Sequence, residues 1–253
     1  GPAMQFGDAR MPPPLRDIDD AFVEQWARLD AQASSAGVRA RLHDLLWERK
    51  EGERLHEHAV ASVDAYCEIS EDPSWNWMAR THALERASEL ARQLSNTEQQ
   101  DRVVAHMERL AREELAETSD DRPGVTLNLI EAILRLPADR HPATLPELID
   151  AADDAYGSDP FLADTVSDLR AAIAEPGEQT ELRRQQVGRW LDRAEQESGL
   201  RKHHAFQRAY QLAKRNGQED LAQQARVALQ SMTDEDLELK TLSAEVKVPT
   251  EKI

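Results

Sequence analysis

Pro73-Ser74-Trp75-Asn76-Trp77-Met78 leads into Ala83-Leu84-Glu85-Arg86-Ala87-Ser88-Glu89-Leu90-Ala91-Arg92-Gln93-Leu94. Alanine recurs at every fourth position, Ala83, Ala87 and Ala91, with leucines between. Small residues at that interval let two helices approach closely, and the larger apolar side chains fill the groove between them. A polar break at Asn96-Thr97 and a second helical run to Leu115 follow, and so short a connection predicts an antiparallel pair.

The same phrase returns near the other end as Ala205-Phe206-Gln207-Arg208-Ala209-Tyr210-Gln211-Leu212-Ala213-Lys214. It too is followed by a polar break, Asn216-Gly217, and another helical run. The copies lie 122 residues apart, from Ala83 to Ala205, which is no multiple of the ~34-residue tetratricopeptide period. The fold class expected is therefore all-α, an irregular tetratricopeptide-like stack of helical hairpins rather than a uniform array.

Composition supports helix throughout. Ala, Leu, Glu, Arg and Gln lose little rotamer freedom in helices, and the 253 residues include only 10 glycines. A formal net charge of −17 repels phosphates at long range, which disfavours nucleic acid and anionic membrane surfaces as general partners. No stretch approaches the ~18 apolar residues of a membrane span, and no secretory leader opens the chain, so a cytoplasmic location is expected. The single Cys67, between Tyr66 and Glu68, fits a reducing compartment and reads as a small buried hydrophobe.

Taken in order, Gly1-Pro2-Ala3-Met4 reads as a cloning scar, and residues 1–16 with Pro12-Pro13-Pro14 as an extended arm. One helical-repeat domain is expected over 17–242, with sub-blocks 17–118, 119–177 and 178–242. Helices are predicted over 19–34, twice or kinked over 38–69, and then in the pair already described. A short apolar helix from Val125 to Leu134 ends at Pro137, Leu145–Tyr156 carries Pro146 in its first turn, and Asp159-Pro160 caps the next helix. Asn216-Gly217 is a left-handed helix stop, and Thr233-Asp234-Glu235-Asp236 a capping signal for a short helix to about Leu242. Residues 243–253 read as a tail that begins a further region.

Chemistry-bearing patterns are few. His56 and His58 are two apart and His203 and His204 adjacent, so neither pair shares a helix face, and both read as solvated histidines. Arg135 and His141 resemble a ribonuclease signature, but Pro137 breaks the helix that should present them together. No catalytic, metal or cofactor-binding set is expected. The sharper signal is charge segregation. Residues 143–178 hold nine acids against Arg170, whereas 179–217 hold nine bases against four acids. The two blocks can pair with each other, or the bases can form a strip for an acidic partner or RNA. Candidate partner-binding residues are Arg183, Arg184, Arg189, Arg193, Arg201, Lys202 and Arg208, with Trp75 as the tryptophan most exposed in prospect; Trp26, Trp47, Trp77 and Trp190 are expected in the core.

Leu45-Leu46-Trp47, Val63-Asp64-Ala65-Tyr66, Trp75 and Leu84–Ala91 together resemble the N-terminal helical region of a family of large, poorly characterised bacterial proteins. In that family such a region precedes a C-terminal helical domain related to ribonucleases. The resemblance spans residues 17–250 and implies a bacterial cytoplasmic protein of stress or phage defence, with its catalytic part beyond Ile253. No catalytic residue carries over. The expectation is a non-enzymatic scaffold without cofactor, binding a protein partner or its own C-terminal domain, with an RNA-binding or nuclease-associated module as the alternative.

Overall fold

A computed structural model describes residues 36–49, 55–117, 123–233 and 236. Among them all regular structure is helical: α1 Ala36–Arg49, α2 Leu55–Glu71, α3 Trp77–Gln93, α4 Thr97–Leu115, α5 Val125–Arg135, a 3-10 turn Ala138–Arg140, α6 Leu145–Tyr156, α7 Pro160–Ile173, α8 Pro176–Gln196, α9 Gly199–Arg215 and α10 Glu219–Ser231. The helix expected over 19–34 and the arm over 1–16 lie outside the described residues, as does the tail after 242. Gly37 sits in the first turn of α1, where a missing Cβ interrupts little.

The chain divides into two compact units, Gly1–Leu169 and Arg170–Ile253. Each builds its own core. The first core runs from Ala40 through Leu169, across the expected sub-block boundary at 118. The second gathers Val187, Trp190, Leu191, Phe206 and Leu212 around a set of alanines.

In the first unit each helix from α1 to α5 packs on the next, and α2 also meets α4, α3 meets α5, and α4 meets α6. Helix α3 is held on both sides, so its alanine stripe has no solvent face. Ala83, Ala87 and Ala91 are fully buried, with Leu84 and Leu90 beside them. Its start is fixed by Asn76, whose side chain accepts from the Ala79 N–H at 2.7 Å; Asn96 does the same for α4 through the Gln99 N–H at 3.1 Å. Exposed ion pairs tie α2 to α4 along one edge, Asp64 with Arg102 and Glu71 with Arg109, and such pairs contribute little each.

The second unit repeats the central arrangement. Helix α9 packs between α8 and α10, with Ala205, Ala209 and Ala213 buried. Both α3 and α9 are 17 residues long. They start 122 residues apart at Trp77 and Gly199, and the helices after them start at the same offset, Thr97 and Glu219. Their ends match as well. The Ser95 N–H donates to the Arg92 carbonyl and the Asn96 N–H to that of Ala91, while Gly217 donates to Lys214 and Gln218 to Ala213. This two-bond closure requires a left-handed residue at its corner, which is Ser95 (φ 51°) in one copy and Gly217 (φ 70°) in the other.

Candidate functional site

Of the residues singled out for partner binding, the seven bases lie on the second unit and Trp75 on the first. Arg183, Arg184, Arg189 and Arg193 belong to α8, and Arg201, Lys202 and Arg208 to α9. The buried stripe of α8, Val187, Trp190, Leu191 and Ala194, decides where its bases point. At 100° per residue Arg189 and Arg193 fall away from that stripe and are exposed, whereas Arg183 falls near it and is half-buried. On α9, Arg201 is exposed and Lys202 and Arg208 are half-buried. The bases therefore occupy several faces rather than one continuous strip.

Several also have acidic partners within the unit. Arg184 grips Asp220 of α10 through two hydrogen bonds, 2.7 and 3.2 Å, which holds the Asp220 carboxyl below its ordinary value and raises the guanidinium above its own. Arg193 lies 3.6 Å from Glu197, and Lys214 lies 3.3 Å from Glu219. These acids come from α10 and the connection between α8 and α9, not from the acidic run 143–178. Lys202 faces Asp236, whose carboxyl is lowered first by hydrogen bonds from Thr233 and further by this ammonium.

Trp75 occupies the turn between α2 and α3. Its N–H donates to the Asp72 carbonyl at 3.2 Å, and its half-buried ring packs on the first core. Trp190 is buried as expected, while Trp47 and Trp77 are only half-buried. Trp47 sends its indole N–H to the Gln93 side chain, and Trp77 lies beneath the Arg80 guanidinium, 5.1 Å from the ring centre.

The polar groups with the most demanding surroundings escaped the sequence reading. Glu114 of α4 is fully buried and accepts four hydrogen bonds: from the Val125 and Thr126 N–H groups, the Thr126 hydroxyl and the Tyr156 hydroxyl at 2.6 Å. Helix α5 starts after the left-handed Gly124, which offers no side-chain cap, so a carboxylate from a neighbouring helix supplies one. The second case is Asp44 of α1, which accepts from the Tyr66 hydroxyl at 2.8 Å and from the Arg86 guanidinium at 2.7 and 2.5 Å. Burial, joined by the Asp44 charge, raises the Tyr66 hydroxyl well above its ordinary range, so it remains a donor. Both sets are closed: each carboxylate serves donors that hold helices together. The trace in the sequence was an acid at an apolar position, since Glu114 follows Met107, Leu110 and Ala111 in helical register.

The histidines divide. His56 is exposed, but His58 is buried, not solvated as expected, because α1 lies over it and His43 stacks on its ring with Nδ1 atoms 2.9 Å apart. His203 is half-buried, while His204 is exposed and meets Trp190 edge-on at 6.4 Å. His141 bonds the Leu136 carbonyl at 2.9 Å, beyond the end of α5 that carries exposed Arg135. Among the described residues no three His, Cys, Asp or Glu side chains are grouped to hold a metal, and no helix is long and apolar enough to cross a membrane. Cys67 is fully buried, and burial pushes its thiol up to about 12.

Residues 1–103, less than half of the chain, match a family described as a domain of unknown function (DUF7380). The match takes in α1 to α3 and the first turns of α4. Comparison with curated proteins and with solved structures gives no match.

Proposed function

We propose that this chain is a non-catalytic scaffold of tetratricopeptide-like stacked hairpins that binds another protein, or another domain, in a bacterial cytoplasm. The observation that carries this reading is the recurrence of one helical hairpin. Helix length, alanine stripe, terminal closure and the start of the next helix all return at one offset, around a packing in which first-unit helices meet the next and often the one after. Such stacks present extended surfaces made of helix faces rather than a single enclosed pocket. The buried carboxylates support it further, because their hydrogen bonds are used to join helices and not to face a cleft.

The surface suited to a partner on the second unit includes the exposed apolar side chains Leu200 and Val227, with Arg189, Arg193 and Arg201 exposed on the same unit. The test is an affinity capture from bacterial lysate, with and without nuclease, repeated for Leu200→Glu/Val227→Glu and for Arg183→Glu/Arg184→Glu/Arg189→Glu. A partner that survives nuclease and is lost with the apolar pair is the expected result. Recovery of RNA alone, lost with the arginine reversals and weakening steeply with salt, would replace the scaffold reading by an RNA-binding one.

A further inference from the structure

The end of α8, the start of α9 and the end of α10 border a groove of about 560 Å³ in the second unit. Buried Phe206 and half-buried Ala228 and Met232 give it an apolar floor. Its rim is acidic, with Glu195, Glu197 and Asp236 set against Lys202. We propose that this groove seats an amphipathic helix of a partner protein, one whose apolar stripe is flanked by Lys or Arg.

Two observations point to this occupant. The first is charge. Lys202 faces Asp236, and Arg193 lies 3.6 Å from Glu197, which leaves exposed Glu195 with no ion pair among the described residues. A base beside the apolar stripe of the partner answers that carboxylate, whereas an acid there would be repelled by the rim. The net charge of −17 on the whole chain acts in the same sense, drawing basic partners and turning acidic ones away.

The second is the matching hairpin. At the 122-residue offset, Phe206 and Met232 correspond to Leu84 and Leu110. Both leucines are buried, and α5 packs on both α3 and α4. In the first copy this stripe is therefore the seat of a helix, whose first N–H groups are received by the Glu114 carboxylate. The second copy presents the same stripe with Met232 half-open, and the acid at the matching position, Asp236, lines the groove.

Selection of a phage-displayed library of randomised helical peptides against the full chain tests this. Enriched peptides should carry Leu, Met or Phe at i, i+3 or i+4 and i+7, with Lys or Arg beside them. Their affinity, read by fluorescence anisotropy, should fall at least about tenfold in Met232→Glu and about threefold to tenfold in Glu195→Lys, the second loss shrinking as salt rises. Because Glu195 is exposed, Glu195→Lys decides the matter should Met232→Glu disturb the core. No enrichment, enrichment of acidic or non-helical peptides, or undiminished affinity for both variants would overturn the proposal. So would self-association of the unaltered chain that is lost in Met232→Glu, which would make a second copy the occupant. The inference rests on the scaffold reading and names the chemistry of the partner. The two fail separately: a lysate partner captured while the selection yields nothing overturns the groove and leaves the scaffold standing.

Discussion

The two hairpins, α3 with α4 and α9 with α10, share a plan and differ in how much surrounds them. Val103 and its counterpart Ala225 are both buried, as are Gln100 and Ala222. One turn further on they part: Met107 is fully buried whereas Leu229 is half-open, and Leu110 is buried whereas Met232 is half-open. Helix α4 continues to 19 residues beneath α5 and α6, while α10 stops at 13. The difference teaches that an alanine stripe sets how closely two helices approach, and that the burial of everything beyond the stripe depends on a third.

The largest effect that would sharpen the comparison concerns Glu114, a carboxylate that is fully buried in the first hairpin while Asp236 at the matching position is exposed. Glu114→Ala strands two backbone N–H groups and the Tyr156 hydroxyl away from water, at roughly 1–3 kcal/mol for each group left unsatisfied, so a loss of about 3–5 kcal/mol is expected. Denaturation followed by hydrogen exchange should show α5 and α6 losing protection while α8 to α10 keep theirs. Uniform loss across both units would mean that the cores are energetically one.

Next come the stripes themselves. Ala87→Leu and Ala209→Leu each force a larger side chain between packed helices, which costs about 1–3 kcal/mol, and Ala87 should be the worse because α3 is enclosed by more helices. Chemical denaturation midpoints of the two variants give the ranking directly, and the reverse order would break the comparison.

Smaller still is the exchange of corner residues. Gly217→Ala puts a Cβ on a left-handed backbone with no atom in its way, so the expected loss of about 1 kcal/mol is conformational and not steric crowding. Ser95→Gly removes the same strain from the other copy and should stabilise by less than about 1 kcal/mol, because glycine also gains freedom when unfolded.

At neutral pH the smallest effect belongs to Cys67, which reports on the first unit alone. Its thiol is raised to about 12 by burial, against roughly 8.5 in an unfolded chain. The folded state therefore keeps its proton where the unfolded state loses it. This contribution is complete below about pH 8.5 and is lost as pH rises towards 12. Unfolding midpoints measured from pH 8 to 11 should fall less steeply for Cys67→Ala than for the unaltered chain, and equal slopes would show the thiol to be accessible.

Much of the helical pattern was legible because its signals are local. Pro137 ends α5, Pro146 sits in the first turn of α6, and Asp159 accepts from the Phe161 and Leu162 N–H groups at the start of α7, as their residue types predict. Gly217 is the left-handed stop that Asn216-Gly217 announced. Ser95 was not foreseeable, since serine seldom adopts positive φ and only the matching corner in the second copy marks the place. Glu114 and Asp44 were missed for a different reason. Their donors lie up to 42 residues away, so an acid at an apolar position of the register marks the place without naming its partners. The basic candidates were visible as a count, yet a count carries no direction, and Arg183 and Arg189 turned out to lie on different sides of one helix.

The neighbour-by-neighbour packing of the first unit also bears on how the chain is made. Each helix from α2 to α6 finds a partner among those that precede it, so most contacts close over short stretches of sequence, a topology that favours rapid folding. As the polypeptide leaves the ribosome, α2 can settle on α1, α3 on α2, and α4 on both α2 and α3 without waiting for distant segments. Glu114 is the exception, buried early in the order of synthesis but answered in full only when Tyr156 arrives. Until α6 arrives, the Glu114 side chain lacks one of its four donors.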